Sequence, residues 1–522
     1  MGGHLFVLRG DLTQLHCNAV LVPCDSNWFV VWDHWSPLFP DDRFGPPDSD
    51  GWAQLLGGGG KDRFTDVVDE GEKWVRLVVT ADDERYDSPE ERARWVSEGV
   101  VAAIEDLSTS DIPPLAGRVK PLIGLPLVGT GAGGFEATRG VLIEALLPDL
   151  QRVARKRDVD VALVLIDGRD HAAVQAVRGP KYWNEFENER PHLAKRLEDA
   201  DELGRMAAHG ELSLFLGSGV SVPLGVPDWK TLLARVDEGK IEQFAGQEAP
   251  DIAQEIEEEL GKEEFQQRIV DNVDLPGVAP THMLLAALSV DQSVTTNYDA
   301  AYERALGKTV DGECRVLTVQ LALQPYPWLL KYHGCVTRRQ SIVITRDDYT
   351  KLQNEHGALQ SIVESLMLTS HLMFVGFSMS DADFLNAAKR VNAVRALSDD
   401  QDPPYAATVL ALHPQAVMEH AGFRVVSMLE DPSDEEAARL LEIFLDRISW
   451  KATKKGPASS SYLLHPDYQD LFADDVPTMR LREALSKLAD ELDTDDRICD
   501  AEGWDQVARL LYRLGARESE QS

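Results

Sequence analysis

Short apolar runs that alternate with helical patterns are the feature that most constrains how this chain can fold. A short apolar run bounded by turn residues is typical of a strand buried on both faces of a parallel sheet. The helices between such runs then cover both faces of that sheet. Because the pattern occupies two separate stretches, we predict an α/β fold with two α/β domains. The predicted strands are Leu5–Leu8, Ala19–Pro23, Trp74–Thr80, Leu122–Leu127, Val161–Ile166, Leu212–Leu216, Ser293–Thr296, Val316–Val319, Trp328–Tyr332, Ser341–Ile344, Leu372–Val375, Ala407–Leu412 and Arg424–Ser427, and notable predicted helices of the first stretch are Pro89–Leu107 and Ala137–Lys156.

The same pattern sets the expected domain boundaries. The first domain is predicted over residues 1–185 and a charged helical connector over 186–210. The second domain, over 211–449, is interrupted between Trp229 and Pro280 by a long acidic stretch that we interpret as a helical insertion or lid. Near residue 450 the composition shifts to lysine, glycine, proline and serine, which is typical of a linker. Residues 450–522 are therefore predicted to be a linker and an amphipathic helical tail, which either packs on its own chain or takes part in assembly.

Charge and cysteine content exclude several classes of protein. The formal net charge is −36, which repels nucleic-acid phosphates, so we expect no direct nucleic-acid binding. No run of about 18 uncharged apolar residues occurs, so no membrane span is expected. The five cysteines are odd in number and no pair has Cys-x-x-Cys spacing, which argues against a disulfide framework and a thiolate zinc site. This cysteine content fits a reducing cytoplasm best, and the N-terminus has no signal-peptide pattern.

Glycine-rich and short polar motifs follow the predicted strands of the second domain. Glycines let the backbone approach a phosphate closely, and the N–H groups at the start of the next helix can then face the anion. Val222 stands where a third glycine would complete the G-x-G-x-x-G fingerprint, so an ordinary dehydrogenase loop is not expected. The motifs are Gly217-Ser218-Gly219-Val220-Ser221, Gly225-Val226-Pro227-Asp228-Trp229, Thr295-Thr296-Asn297-Tyr298-Asp299, His333-Gly334 and Gly376-Phe377-Ser378.

These motifs resemble those of sirtuins, in the same order, over residues 209–449. The resemblance implies a Rossmann-like, sirtuin-type parallel sheet with a helical insertion. The chain departs from sirtuin deacylases in lacking the four zinc cysteines after the His-Gly pair, where only Cys335 lies nearby, and in having Lys230 where they have arginine. It is therefore more similar to the sirtuin-like NAD hydrolases of bacterial antiphage defence, the Thoeris-effector-like proteins.

The resemblance implies a role for each motif residue, with NAD as the substrate and no metal. Asp299 would bind the nicotinamide carboxamide, Asn297 would hold the ribose and a water, and His333 would accept a proton. Ser218 and Ser221 would contact phosphates. Further NAD-binding residues are expected at Gly217, Gly219, Asp228, Thr296, Gly376 and Ser378.

The expected function is that of an NAD+ glycohydrolase that releases nicotinamide and ADP-ribose. By resemblance it would act as a triggered, NAD-depleting effector in antiphage defence. Two alternatives stay open: an NAD-dependent protein-lysine deacylase, and a non-catalytic module that binds NAD or ADP-ribose. Taken singly, the site residues also have ordinary structural explanations, because Asn297 and Asp299 could cap a helix that begins near Ala300, and His333 could be a hydrogen-bonded core histidine.

The first domain resembles a macrodomain, a three-layer α/β unit, over about residues 1–175. The similarity rests on Gly10-Asp11-Leu12-Thr13, on the run that begins at Asn18, and on a glycine-rich loop, Gly129-Thr130-Gly131-Ala132-Gly133-Gly134-Phe135. Asn18 replaces the family's adenine-binding aspartate, so a regulatory pocket is expected rather than an enzyme; a degenerate fold kept for packing is the alternative. The macrodomain resemblance implies an ADP-ribose-like ligand. The resemblance to sirtuin-like defence effectors implies a cyclic ADP-ribose signal, a TIR-domain or other defence partner, and a homo-oligomer. The expected ligand contacts are Asp11, Asn18, Gly129, Thr130, Gly131, Gly133, Gly134 and Phe135.

Overall fold

The computed structural model of the chain consists of two compact units. Unit 1 contains residues 1–115, 120–191 and 453–522, and unit 2 contains residues 116–119 and 192–452. The structure describes all residues except 1, 40–62, 66, 70–72, 83–85, 111, 116, 131–133, 136, 190, 240–245, 310–313, 318–326, 356, 378–381, 398–406, 415–422, 430–435, 495–502 and 517–522.

Unit 1 is built on a six-stranded sheet in the order β1-β6-β5-β2-β4-β3. Neighbouring strands are parallel except for the short β3, which is antiparallel to β4. Every residue of β6 is buried, as expected for an inner strand covered on both faces. The strands are β1 (Leu5–Arg9), β2 (Ala19–Asp25), β3 (Val68–Asp69), β4 (Trp74–Ala81), β5 (Leu122–Pro126) and β6 (Asp160–Leu165).

The helices of unit 1 cover this sheet with apolar faces. In the helix Pro89–Leu107, Ser88 caps the first turn by accepting a hydrogen bond from the Glu91 amide, and Val96, Val100 and Ile104 form a buried stripe at helical spacing. The other α-helices of unit 1 are Trp32–Trp35, Arg139–Arg157, Gly168–Glu189, Val476–Thr494 and Trp504–Arg513, and its 3-10 helices include Leu12–Gln14, Ser36–Leu38, Pro457–Ser460 and Pro466–Phe472.

The C-terminal segment differs from the predicted linker and tail. The helix Glu436–Lys455 continues through the expected start of the linker, and residues 453–522 group with unit 1. The helix Arg139–Arg157 has no side-chain cap of its own, and the Asp470 carboxylate supplies one by accepting hydrogen bonds from the amides of Gly140 (3.3 Å) and Val141 (2.6 Å). Tyr468 is fully buried and donates to Asp170 at 2.7 Å. This segment therefore contributes to the packing of unit 1.

Unit 2 is built on a seven-stranded, all-parallel sheet in the order β13-β12-β11-β7-β8-β10-β9. The chain leaves β7 toward one edge of the sheet and later returns to its other side at β11. At such a switch point the carboxyl ends of the strands open a crevice that commonly binds ligands. The strands are β7 (Leu212–Leu216), β8 (Gln292–Thr295), β9 (Arg315–Leu317), β10 (Trp328–Lys331), β11 (His371–Val375), β12 (Ala407–Ala411) and β13 (Arg424–Ser427).

A helical insertion lies between β7 and β8, as predicted. Its helices Trp229–Val236, Ala249–Leu260 and Lys262–Val273 bury a shared apolar cluster that includes Phe265 and Ile269. The prediction of an α/β protein with two α/β domains and a helical insertion is confirmed. The remaining helices are Ala194–Ala208, Pro280–Ala286, Ala301–Leu306, Arg346–Glu355, Gly357–Thr369, Ala382–Arg395 and Glu436–Lys455, and the 3-10 helices include Ser218–Val220, Val222–Leu224 and Arg339–Ser341. Among the described helices, none is long and apolar enough to cross a bilayer.

One predicted strand is wrong. Residues Ser341–Ile344 form the end of a 3-10 turn and an irregular segment instead of a strand. Their apolar pattern has another cause, because Ile342 and Ile344 pack into the cluster of the helical insertion.

Candidate active site

The loops that follow β7, β8, β10 and β11 meet around one cavity of unit 2. The cavity measures about 110 Å³, as bounded by the described residues. Its walls combine sheet-edge residues with apolar residues of the helical insertion. The lining residues are Ser218, Val226, Pro227, Trp229, Leu232, Val273, Thr296, Asn297, Tyr298, Asp299, His333, Tyr349, Gly376 and Phe377.

Glycines bring the loops after β7 and β11 into direct backbone contact. A Cβ on Gly217 would lie 2.5 Å from the Gly376 carbonyl oxygen, and Gly376 itself has φ +65°, a conformation that favours glycine. The Gly219 amide donates to the Gly376 carbonyl at 2.9 Å. The Gly219 N–H therefore joins two loops of the protein.

Asn297 and Asp299 are held by Ser221, which lies fully buried in the turn after β7. The Ser221 hydroxyl donates to Asp299 Oδ2 at 2.9 Å, and Asn297 Nδ2 donates to Ser221 Oγ at 3.2 Å. Asp299 Oδ1 accepts from the Ala301 amide at 3.0 Å, so this carboxylate also begins the helix Ala301–Leu306. The expectation that Ser221 contacts a phosphate is corrected, because its hydroxyl is buried among protein partners.

Asn297 is fixed through its backbone as well as its side chain. Its amide donates to Thr295 Oγ1 at 3.0 Å, and that hydroxyl donates in turn to the Leu216 carbonyl of the neighbouring strand. The side chain is buried, and its Oδ1 has no hydrogen-bond partner among the described residues. Because Nδ2 is bound to Ser221, Oδ1 is the atom that remains for a ligand.

His333 follows β10 and is positioned by a tight turn. Gly334 has φ +82°, and a Cβ there would lie 2.0 Å from the Ser341 carbonyl oxygen, so only glycine fits. The His333 carbonyl accepts from the Val343 amide at 3.0 Å, and the Tyr349 ring meets the imidazole edge-on at 5.4 Å between centroids.

The His333 imidazole is buried and electrically neutral at pH 7. Burial lowers its pKa to about 4. Its Nε2 has no hydrogen-bond partner in the described part of the chain. Asn297 and His333 thus line the same cavity, and each has a buried polar atom without a partner among the residues that the structure describes.

Sequence reasoning missed His282, which touches the same network. This residue is fully buried in the helix Pro280–Ala286, where its Nδ1 accepts from the Ala279 amide at 3.2 Å and its Nε2 lies 3.1 Å from Ser221 Oγ. Burial lowers its pKa to about 4. A histidine at the third position of a helix that begins with proline was the available signal, because such a residue can reach back to the first amide.

The other residues predicted to bind NAD have different positions. Ser218, Thr296 and Gly376 line the cavity. Asp228 caps the helix Trp229–Val236 by accepting from the Thr231 amide at 2.7 Å and is not a lining residue, so its contact with NAD stays a prediction. Ser378 lies outside the described residues.

A second cavity, of about 360 Å³, opens at the carboxyl ends of the strands of unit 1. Of the residues predicted there, Asp11, Gly129 and Thr130 line it. Asn18 does not line the cavity, which corrects that assignment. Its side-chain oxygen accepts from the Leu122 amide, and its side-chain nitrogen donates to the Pro113 carbonyl, so the side chain is used in packing. Phe135 is fully buried beside Arg92, and Gly134 packs against that guanidinium, so neither is a lining residue. Gly131 and Gly133 lie outside the described residues.

Part of unit 2 is similar to known proteins. The SIR2-like domain matches residues 291–421, which include Asn297, Asp299 and His333. Residues 291–421 of unit 2 are therefore similar to the SIR2-like domain. The chain is similar to the NAD(+) hydrolase ThsA of Enterococcus faecium, with 28% identity over 222 residues, covering 41% of this chain and 45% of that protein. It is also similar to the NAD(+) hydrolase ThsA of Cytobacillus dafuensis, with 27% identity over 190 residues, 35% of this chain and 38% of that protein.

The matched SIR2-like segment thus carries the candidate active site, while the chain spans less than half the length of these ThsA relatives. For the N-terminal unit, a macrodomain of Oceanobacillus iheyensis is similar in structure at 17% identity, covering 35% of this chain and 92% of that chain with a TM-score of 0.25. Among the described residues, no group of three or more His, Cys, Asp or Glu side chains is placed to hold a metal ion.

Proposed function

We propose that unit 2 is an NAD+ glycohydrolase that cleaves the bond between nicotinamide and ribose. The observation that carries the proposal is a pair of buried polar atoms, Asn297 Oδ1 and His333 Nε2, that have no hydrogen-bond partner among the described residues and belong to residues lining one cavity. The ThsA relatives, named as NAD(+) hydrolases, support the same activity.

The cleavage does not need a general acid from the protein. The nicotinamide ring of NAD+ is cationic, so the C–N bond breaks with its electron pair going to the ring, and nicotinamide leaves neutral. Water then bonds to the ribosyl carbon and loses a proton. A neutral imidazole has one unprotonated nitrogen that can take this proton, directly or through a ribose hydroxyl, and Asn297 Oδ1 can accept a hydrogen bond from the water or the ribose.

The size of the cavity supports a regulated enzyme. At about 110 Å³ it has room for a single ring and is well below the roughly 300–1,000 Å³ typical of sites for larger ligands. One wall is formed by Trp229, Leu232 and Val273 of the helical insertion, so an outward shift of this wall would enlarge the space for a dinucleotide. We propose a triggered effector that depletes NAD+ in antiphage defence, working as a homo-oligomer with the insertion as the moving element.

Unit 1 is proposed to hold the trigger. Its cavity of about 360 Å³ falls within the typical range for a small ligand, and Asp11 and Thr130 offer polar groups there. An ADP-ribose-like or cyclic ADP-ribose signal, supplied by a TIR-domain or other defence partner, is the proposed ligand.

The test is to incubate the purified protein with NAD+ and an acetylated peptide, each with and without cyclic ADP-ribose, and to quantify the products. Nicotinamide with ADP-ribose is the expected result. Acyl-ADP-ribose would show a deacylase instead, and NAD+ binding without turnover in every condition would show a non-catalytic module. Asn297→Ala and His333→Ala should abolish turnover, whereas His371→Ala, at the opposite end of the sheet, should not.

A further inference from the structure

Three polar side chains lie within hydrogen-bond distance of the Ser221 hydroxyl. Asn297 Nδ2, Asp299 Oδ2 and His282 Nε2 lie 3.2, 2.9 and 3.1 Å from its oxygen. A hydroxyl can donate one hydrogen bond and accept two. The three contacts use the full hydrogen-bonding capacity of the hydroxyl. In each contact, therefore, it is determined which atom donates and which accepts.

The direction at His282 is fixed by the backbone. The Ala279 amide is a donor and lies 3.2 Å from Nδ1, so Nδ1 must accept and carries no hydrogen. A neutral imidazole then has its hydrogen on Nε2. His282 therefore donates to Ser221 and cannot compete for the hydroxyl hydrogen.

The direction at Asp299 follows from its charge. An ionised carboxylate only accepts, so it takes the single hydroxyl hydrogen of Ser221. Hydrogen bonds to a charged acceptor are also stronger than those to an amide oxygen. With that hydrogen assigned, Asn297 can meet Ser221 only through its NH2 group.

We infer that Ser221 and His282 are positioning residues that fix the orientation of the Asn297 amide, so that Oδ1 is the atom kept for the substrate. This inference rests on the proposed function of the site and adds to it: Asn297 acts as an acceptor toward a hydroxyl or water. Turned by 180°, the amide would place two acceptors together at Ser221 and offer a donor to the cavity.

The test compares two buried serines. Ser221→Ala removes the hydroxyl of the network, and Ser213→Ala removes a fully buried hydroxyl at the other end of the sheet, where it contacts Gln292 and Ser370. Both variants lose buried hydrogen bonds. We expect Ser221→Ala to lower kcat for NAD+ by about 10- to 100-fold with KM changed less than about threefold, and Ser213→Ala to leave kcat unchanged. Equal effects of the two substitutions on kcat would overturn the inference.

A second pair of variants separates positioning from packing at His282. His282→Gln keeps an N–H donor near Ser221 and loses the acceptor for Ala279, and His282→Asn keeps that acceptor and loses the donor. Each loses one hydrogen bond, so a merely structural role predicts equal kcat. We expect the Gln variant to be at least about fivefold more active than the Asn variant, and equal activity would contradict the assigned direction.

Neutron crystal structures of the same variants, in which the amide oxygen and nitrogen can be told apart, decide the inference without any assay of turnover. In Ser221→Ala and His282→Asn, the Asn297 amide should turn or occupy two orientations, while in Ser213→Ala it should not move. An Asn297 side chain that keeps one orientation in every variant would overturn the inference. Failure of the wild-type protein to cleave NAD+ would instead refute the proposed function and leave this structural test intact.

Discussion

Acid should destabilise unit 2 through its two buried, neutral histidines, and His333 allows a quantitative test. Burial lowers the pKa of His333 from 6.5 to about 4, so the unfolded chain binds a proton at a higher pH than the folded protein does. The contribution of the neutral His333 to the free energy of unfolding is therefore fully present above about pH 6.5. It falls as the pH drops toward 4 and changes no further below that value.

The size of the effect follows from these two pKa values. Between pH 7 and pH 5 each such histidine should cost about 1.8 kcal/mol of unfolding free energy, out of a limiting value of about 3.4 kcal/mol. His282, with a pKa also lowered to about 4, contributes in the same direction. His333→Gln removes one titrating group and fills most of the same space.

The assay is urea unfolding at pH 7 and pH 5, with hydrogen-exchange mass spectrometry of peptides from β8 and β10 reporting on unit 2 alone. Wild type should lose about 1.8 kcal/mol more than His333→Gln over this interval. The same loss in both proteins would refute the reasoning, since His333 would then titrate alike in the folded and unfolded states.

Three further substitutions test the site and the fold. Asn297→Asp places a second carboxylate beside the Ser221 hydroxyl, whose hydrogen is already donated to Asp299. Nicotinamide release at pH 7 should therefore fall at least about 100-fold, while the circular dichroism spectrum stays unchanged. Gly334→Ala should lower the melting temperature, because φ is +82° and the new Cβ would meet the Ser341 carbonyl. The free energy of unfolding should fall by more than about 1 kcal/mol, and an unchanged melting curve would contradict the turn geometry. Asp470→Ala should weaken unit 1 by about 1 kcal/mol through loss of a helix cap and should hasten proteolysis of the C-terminal segment, whereas the exposed Asp505→Ala should not.

Local signals made most of unit 2 predictable. The strand Leu212–Leu216 was located from its apolar residues and the Gly-Ser-Gly turn that ends it. The sirtuin resemblance implies one site for Asn297 and His333, and the structure places both residues against one cavity, because parallel strands end at one edge of the sheet. The chemical roles of these residues stay predictions.

What could not be predicted depends on contacts between distant parts of the chain. The cap that Asp470 gives to a helix 330 residues earlier leaves no local signal. The isoleucines at 342 and 344 produced a strand-like pattern, although they pack against the helical insertion. The sirtuin resemblance implies a phosphate contact for Ser221, and no local signal shows that the fold brings His282 to the other side of this hydroxyl.

The most direct test of the account is a structure of the His333→Ala protein with NAD+ bound. We expect the nicotinamide ribose beside Asn297, within hydrogen-bond distance of its Oδ1, with the helical insertion displaced outward to admit the dinucleotide. Nucleotide bound only in the cavity of unit 1, with the cavity of unit 2 empty and its wall unmoved at saturating NAD+, would contradict the account.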